Sequence, residues 1–491
     1  MTTLGDMAAN ALAREPLRTA LEFAGKEYTW GEMQALARNV QELIWECGAP
    51  IDGPVAFVAR NRPSAAATLL ALIAECRPIR MVFAFQSGAG IAAQLDKSRP
   101  AVAVIMAEDD NDDMRKLLQE RGLAAIVLGT MDARFVPGCE RCATVWDIPE
   151  AAAQIHILTS GTTGPPKQFP ISYELIATHI VGGQSIPQAP AGIMEVPPPF
   201  LFYPIGNVTG LSTIIQVLIH GTHFILLDRF DLGECMTYLR RYQPIALHLP
   251  PAAIQMVLDA DIPPADFASV RWIPTGAAPL HPEVQRAFEK RYGIPILSSY
   301  GATEFAGAAC VMTLEHYEEF GDSKFGSIGR PLPGIEIRVV DPETGTALPP
   351  DHEGIIEAKV ARIGPEWIRT ADLAVIDKDG FLFHRGRADG AIMRGGFKVL
   401  PETIVSALLQ HEAVSAAGVV GIPDRRLGQV PAAVIELKPG ECQPDIAELV
   451  RHLRAHVLAT HVPTAWRFVE QLPKNPSFKI DRGALQRMFD A

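Results

Sequence analysis

Leu158-Thr159-Ser160-Gly161-Thr162-Thr163-Gly164-Pro165-Pro166-Lys167 has the composition of a loop that holds phosphate. Gly161 and Gly164 let the backbone approach an anion closely, Thr159, Ser160, Thr162 and Thr163 carry hydroxyl donors, and Lys167 brings a positive charge. The stretch is not a Walker A loop, because Gly161 to Lys167 lacks the G-x-x-x-x-G-K-[ST] spacing. A Gly/Thr/Pro surface turn shares this composition, so the flanking sequence decides the reading. Gln154 to Leu158, just before the loop, is an apolar run. The loop therefore leaves a strand end, where open α/β sheets bind ligands.

Working outward, the first third of the chain alternates strand-like apolar runs with helical periods, the pattern of a parallel sheet covered by helices. Strands are expected at Val55 to Val58, Arg80 to Phe83, Ala101 to Met106 and Ala124 to Leu128. Thr29-Trp30-Gly31-Glu32 reads as a capping box opening a helix that Gly48 stops. A second alternating block runs from Phe224 to Leu227 through Ile245 to Leu249 and Trp272 to Pro274, reaching Ile296-Leu297. Gly326 to Phe383 changes to short strands and turns, and after Arg387 a compact α+β pattern begins. The expected fold is α/β: a large N-terminal domain of two doubly wound sheet units plus a small β unit, then a small mobile α+β domain. The expected boundaries are residues 1–386, a hinge at 387–390 and residues 391–491, with the pivot at Asp389.

At 491 residues the chain is too long for one core, and 48% hydrophobic with 20% charged residues is a soluble globular composition. The formal net charge of −12, with no Lys/Arg-dense run, argues against a nucleic-acid partner. The N-terminus lacks a signal-peptide layout. The best apolar run, Leu211 to Leu227, is interrupted by Gln216, His220, Gly221 and His223, so no membrane span is expected. Seven cysteines, with only Cys139 and Cys142 in C-x-x-C spacing, read as reduced thiols of a cytoplasmic protein. No G-x-S-x-G or H-E-x-x-H occurs, which excludes those hydrolase and zinc-enzyme classes.

Further motifs follow the loop in order: Tyr300-Gly301-Ala302-Thr303-Glu304, Thr370-Ala371-Asp372, Gly386-Arg387-Ala388-Asp389, Arg394-Gly395-Gly396-Phe397-Lys398 and Pro473-Lys474-Asn475-Pro476-Ser477-Phe478-Lys479. Over nearly the whole chain this set resembles the ANL superfamily of adenylate-forming enzymes, which includes acyl- and aryl-CoA synthetases. The resemblance implies that Thr159 to Lys167 cradles the β- and γ-phosphates of ATP and that Thr303 meets the α-phosphate. It further implies that Glu304 helps hold Mg²⁺ and that Tyr300, with Gly276, Ala277 and Gly301 nearby, lines the nucleotide. Asp372 is implied to accept the ribose hydroxyls, Arg387 to contact ribose or phosphate, and Lys479 to bridge the acid carboxylate and the α-phosphate. Gly395 and Gly396 resemble the loop lining the pantetheine tunnel for CoA. Four positions depart from the family pattern: Gln168, Ala371 and Phe478 replace glycines, and Asn207 replaces a histidine.

The acyl pocket is expected from Phe202, Tyr203 and Asn207 in Phe202 to Asn207, and from Ala302 and Phe305. With few hydrogen-bonding groups, it suits a hydrophobic monocarboxylate, leaning to a ring-bearing one. The implied activity is acid-CoA ligation through acyl-AMP, with ATP, Mg²⁺ and CoA as cofactors and homodimeric assembly left open. Two rivals are a stand-alone adenylation enzyme that loads a carrier protein, and a binding protein that has lost turnover.

Overall fold

Apolar runs of about five residues bounded by turn formers become parallel strands when helices cover both faces. In the computed structural model, Val55–Ala59, Ile79–Phe83, Val102–Met106, Ala124–Leu128 and Gln154–Thr159 run parallel within one seven-stranded sheet. The structure describes residues 2–84, 88–142, 153–159, 167–182, 197–277, 280, 282–387, 391–438, 440–473 and 482–490. Antiparallel strands close both edges of the sheet: Ala133–Phe135 beyond Ala124–Leu128, and Lys167–Ser172 beyond Gln154–Thr159. Side-chain alternation serves two layers. Val55, Phe57 and Ala59 pack in a core with residues of Leu4–Leu12, Trp30–Glu46 and Pro63–Ala74, while Ala56 and Val58 pack with Ile91, Leu95, Met114 and Leu118 of Gly88–Ser98 and Asp112–Glu120.

The helix signals hold locally. Thr29 and Glu32 form the reciprocal capping box of Trp30–Glu46, and Gly48 past its end takes φ +78°. Pro63 opens Pro63–Ala74, in which every residue from Pro63 to Ile73 is buried. An amphipathic stripe is therefore absent, as befits a helix enclosed on all sides.

The chain divides into two compact units, one up to Ile245 and the other from Ala246 onward among the described residues. The first also holds a four-stranded sheet ordered Phe200–Leu201, Phe224–Leu226, Thr19–Phe23, Lys26–Thr29. This changes the expected second block. Phe224–Leu226 pairs with Thr19–Phe23, whereas Ile273–Thr275 pairs with Ile296–Ala302 in a different sheet. Both pairings are non-local, and periodicity along the chain carries no information about which distant edge a strand will meet.

Among the described residues the second unit contains three sheets. Ile273–Thr275 and Ile296–Ala302 are joined by the antiparallel strands Gly307–Val311 and Arg330–Pro331. Ile335–Val340, Glu353–Val360, Trp367–Ile376 and Leu382–Arg387 form the small antiparallel β unit around Ile356, Ala358 and Val360. After residue 391, Phe397–Val399, Ile392–Arg394, Gly428–Leu437 and Val414–Asp424 form a sheet of their own, with Ala465–Val469 paired to Gly428–Leu437. Asp445 caps the helix Ile446–His456, whose Leu449 and Leu453 pack into the core of this sheet. Among the described residues no helix is long and apolar enough to cross a membrane.

Candidate functional site

Tyr300 on the strand Ile296–Ala302 and Asp372 on the strand Trp367–Ile376 come together. The Tyr300 hydroxyl donates to Asp372 Oδ2 at 2.8 Å, and both residues are buried. Asp372 lies opposite Arg387 in the strand register, and His384 Nε2 stands 3.8 Å from Asp372 Oδ1. A carboxylate held in this way can still accept a pair of vicinal hydroxyls.

The strand Ile296–Ala302 slips register between Tyr300 and Gly301 and runs into the tight turn Thr303–Phe305, closed by Ala306 N–H donating to Thr303 O at 2.9 Å. A Cβ on Gly301 would lie 2.4 Å from Gly307 O, so only glycine permits this approach. The turn leaves Thr303 half-buried and Glu304 exposed, while Phe305 is fully buried in the core beside Tyr300. Phe305 thus packs beneath the turn, and Ala302 is half-buried above it. Arg362, which carries no motif, clamps the same turn by donating to Phe305 O at 2.9 Å and Ala308 O at 2.8 Å. Burial lowers its guanidinium from its ordinary value. Among the described residues no cluster of three or more His, Cys, Asp or Glu groups could hold a metal. A single exposed carboxylate fits magnesium held mainly by phosphate oxygens and water.

Gly276 and Ala277 follow the strand Ile273–Thr275. A Cβ on Gly276 would fall 2.3 Å from Ser299 Oγ, and Ala277 takes φ +65° without being glycine. Such backbone strain collects at ligand-binding turns. Gly395 and Gly396, at φ +55° and +86°, make the two-residue turn between Ile392–Arg394 and Phe397–Val399. That turn needs positive φ at both positions, so the fold alone accounts for both glycines. A Cβ on Gly396 would lie 3.8 Å from Ala277 O, which brings this turn against the Gly276–Ala277 loop.

In the first unit, Phe202 is buried, with its ring centroid 4.7 Å from Tyr203 and 5.4 Å, edge-on, from Phe230. Burial pushes the Tyr203 phenol well above its usual range. Asn207 caps the helix Val208–His220, accepting from Gly210 N–H at 2.7 Å. Its side chain therefore holds the end of the loop. Asn61, also outside every motif, is fully buried beside this loop.

Thr159 and Lys167 are described in backbone only, as the last residue of one strand and the first of the next, and Arg387 likewise ends its strand. Ser160, Gly161, Thr162, Thr163, Gly164, Asp389, Phe478 and Lys479 lie outside the described residues. Neither Asn61 nor Arg362 has a spacing signature, because the partners of both are backbone atoms far away in sequence.

Residues 8–362 match the AMP-binding enzyme family and residues 404–479 its C-terminal domain. 4-Coumarate–CoA ligase 3 of Oryza sativa subsp. japonica is 26% identical over 95% of this chain and 88% of its own length. 2-Succinylbenzoate–CoA ligase of Bacillus mycoides (strain KBAB4) is 26% identical over 97% of this chain and 96% of its own. The match to 4-coumarate–CoA ligase-like 8 of Arabidopsis thaliana, 30% identical, spans 61% of that protein's length. Among solved structures, the amide bond synthetase McbA from Marinactinospora thermotolerans superposes with a TM-score of 0.82 over 98% of this chain and 99% of that one, at 23% identity.

Proposed function

Because the chain belongs to the AMP-binding enzyme family, within the ANL superfamily of adenylate-forming enzymes, we propose that it is an acid-CoA ligase acting on a hydrophobic, ring-bearing monocarboxylate. The observation that carries the nucleotide part is the bonded pair Tyr300–Asp372 beside the turn that presents Thr303 and Glu304. The ligase relatives support CoA as acceptor, and the apolar rings of Phe202, Tyr203 and Phe230 support the acid class.

In the first half-reaction the acid carboxylate attacks the α-phosphorus of ATP, forming a carboxylate–phosphate bond and releasing pyrophosphate. Two anions must meet, so the barrier falls when cationic and hydrogen-bonding groups are already oriented. The loop Thr159 to Lys167 holds the outer phosphates, Thr303 the α-phosphate, and Lys479 draws the carboxylate and α-phosphate together. Asp372 and Arg387 fix the ribose, and Tyr300 sets the Asp372 carboxylate. Glu304 would hold Mg²⁺, which neutralises phosphate charge when bound. In the second half-reaction the CoA thiolate attacks the acyl carbon and AMP leaves. We assign the thiol's path to the Gly395–Gly396 turn and the change of pose between the two halves to a pivot at Asp389, with residues 391–491 as the moving domain.

The test is product analysis with a panel of ring-bearing and alkyl acids, ATP and magnesium, with and without CoA. Pyrophosphate, AMP and an acyl-CoA thioester are expected in equal amounts, with ring-bearing acids preferred. No pyrophosphate from any acid would sink the ligase reading. Acyl-AMP that CoA does not consume would move the acceptor to a carrier protein or an amine.

A further inference from the structure

Between the strand Val55–Ala59 and the enclosed helix Pro63–Ala74 stand three consecutive polar residues, Arg60, Asn61 and Arg62. Between them they reach several parts of the first unit. Arg60 donates to both carboxylate oxygens of Asp109, at 3.0 and 2.6 Å, and to Ala84 O at 3.2 Å. Arg62 donates to Glu108 at 2.8 Å and Asp228 at 2.6 Å. Two arginines thus tie the carboxyl ends of three neighbouring strands, with Asn61 enclosed between them at 0% exposure.

Asn61 engages both functions of its carboxamide. Its Nδ2 donates to Tyr203 O at 3.2 Å and Leu227 O at 3.0 Å, and its Oδ1 accepts from Ile205 N–H at 3.1 Å. Tyr203 and Ile205 flank Pro204 in the segment between Phe200–Leu201 and Val208–His220, while Leu227 follows the strand Phe224–Leu226. A loop backbone that must be buried here needs an acceptor and donors from one short side chain. Aspartate supplies no donors, leucine supplies neither, and glutamine is one methylene too long for an enclosed site.

We propose that Asn61 is a positioning residue for the acid substrate: by pinning the backbone on both sides of Pro204 it fixes where the Phe202 and Tyr203 rings stand, and so sets which acids fit. This rests on the reading that Phe202 to Asn207 forms the acyl side of a CoA ligase. Asn61 touches no substrate. Its effect passes through the rings, so it belongs to acid recognition and leaves nucleotide recognition alone.

The experiment uses the full-length enzyme and compares Asn61→Asp, Asn61→Ala and Tyr203→Ala by steady-state kinetics, varying acid and ATP separately, with thermal melting as the folding control. Losing buried bonds at one remove from the substrate should raise the acid KM about tenfold in Asn61→Asp and more in Asn61→Ala. The ATP KM should not change, and the ranking of bulky against slender acids should shift in the same sense as in Tyr203→Ala. Lower melting temperature with both KM values and the ranking unchanged would overturn the proposal and make Asn61 a purely structural residue. So would failure of both Asn61 variants to fold. Tyr203→Ala reads the underlying assignment separately: an unchanged acid KM and ranking there removes the acyl reading of the loop, and the proposal with it, without bearing on ATP chemistry.

Discussion

Glu304 stands exposed on a turn whose shape is fixed from below by Phe305 and from the side by Arg362, so its carboxylate can change without disturbing the fold. Glu304→Gln should leave the melting temperature unaltered and cut turnover at least about tenfold at limiting magnesium, because an amide keeps the shape but neutralises no metal charge. Initial rates against magnesium concentration check this. Rates equal to the parent at every concentration would remove Glu304 from metal binding. At this scale Glu304, Asp372 and Tyr300 were singled out through the family resemblance of their motifs, while Asn61, Arg362 and His384 carried no signal in the sequence. Those three act on groups brought near only by folding: carbonyls of Tyr203, Leu227, Phe305 and Ala308, and the carboxylate of Asp372.

Elements were legible where their signals are local. The Thr29/Glu32 capping box lies within a few residues of the helix it begins, and its residues alone announce it. Strand partners were not, as Phe224–Leu226 shows by pairing with Thr19–Phe23 across two hundred residues of chain. Gly301 joins the two levels, being a motif residue whose necessity is backbone proximity. Gly301→Ala places a methyl 2.4 Å from Gly307 O, a fixed backbone atom, and should cost roughly 1–3 kcal/mol as the pairing with Gly307–Val311 gives way. Chemical denaturation measures it. A stability loss below about 0.5 kcal/mol, within the range of ordinary surface changes, would show that the bulge absorbs the methyl.

At the scale of the whole molecule, three histidines among the described residues are kept neutral by burial. His156, His248 and His461 are each lowered from 6.5 to about 4, with Arg80 adding to the effect at His156 and Arg394 at His461. The unfolded chain binds these protons near 6.5 and the folded one does not. Stability is therefore full above 6.5 and drains away as pH falls toward about 4, at roughly 1.4 kcal/mol per pH unit for each ring. Melting temperatures across that window should fall steadily, and His248→Asn should flatten the slope. A constant melting temperature down to about pH 4, where carboxylates take over, would contradict the assignment. The enclosed helix Pro63–Ala74 adds a different consequence. With no solvent-facing side it cannot fray by single turns, so its amides can meet deuterium only when the surrounding sheet opens as a body. It should be the last segment of its unit to take up isotope. Asn61 is thus joined directly to the stretch of chain that breathes least, which keeps its three bonds in register while looser surface segments fluctuate.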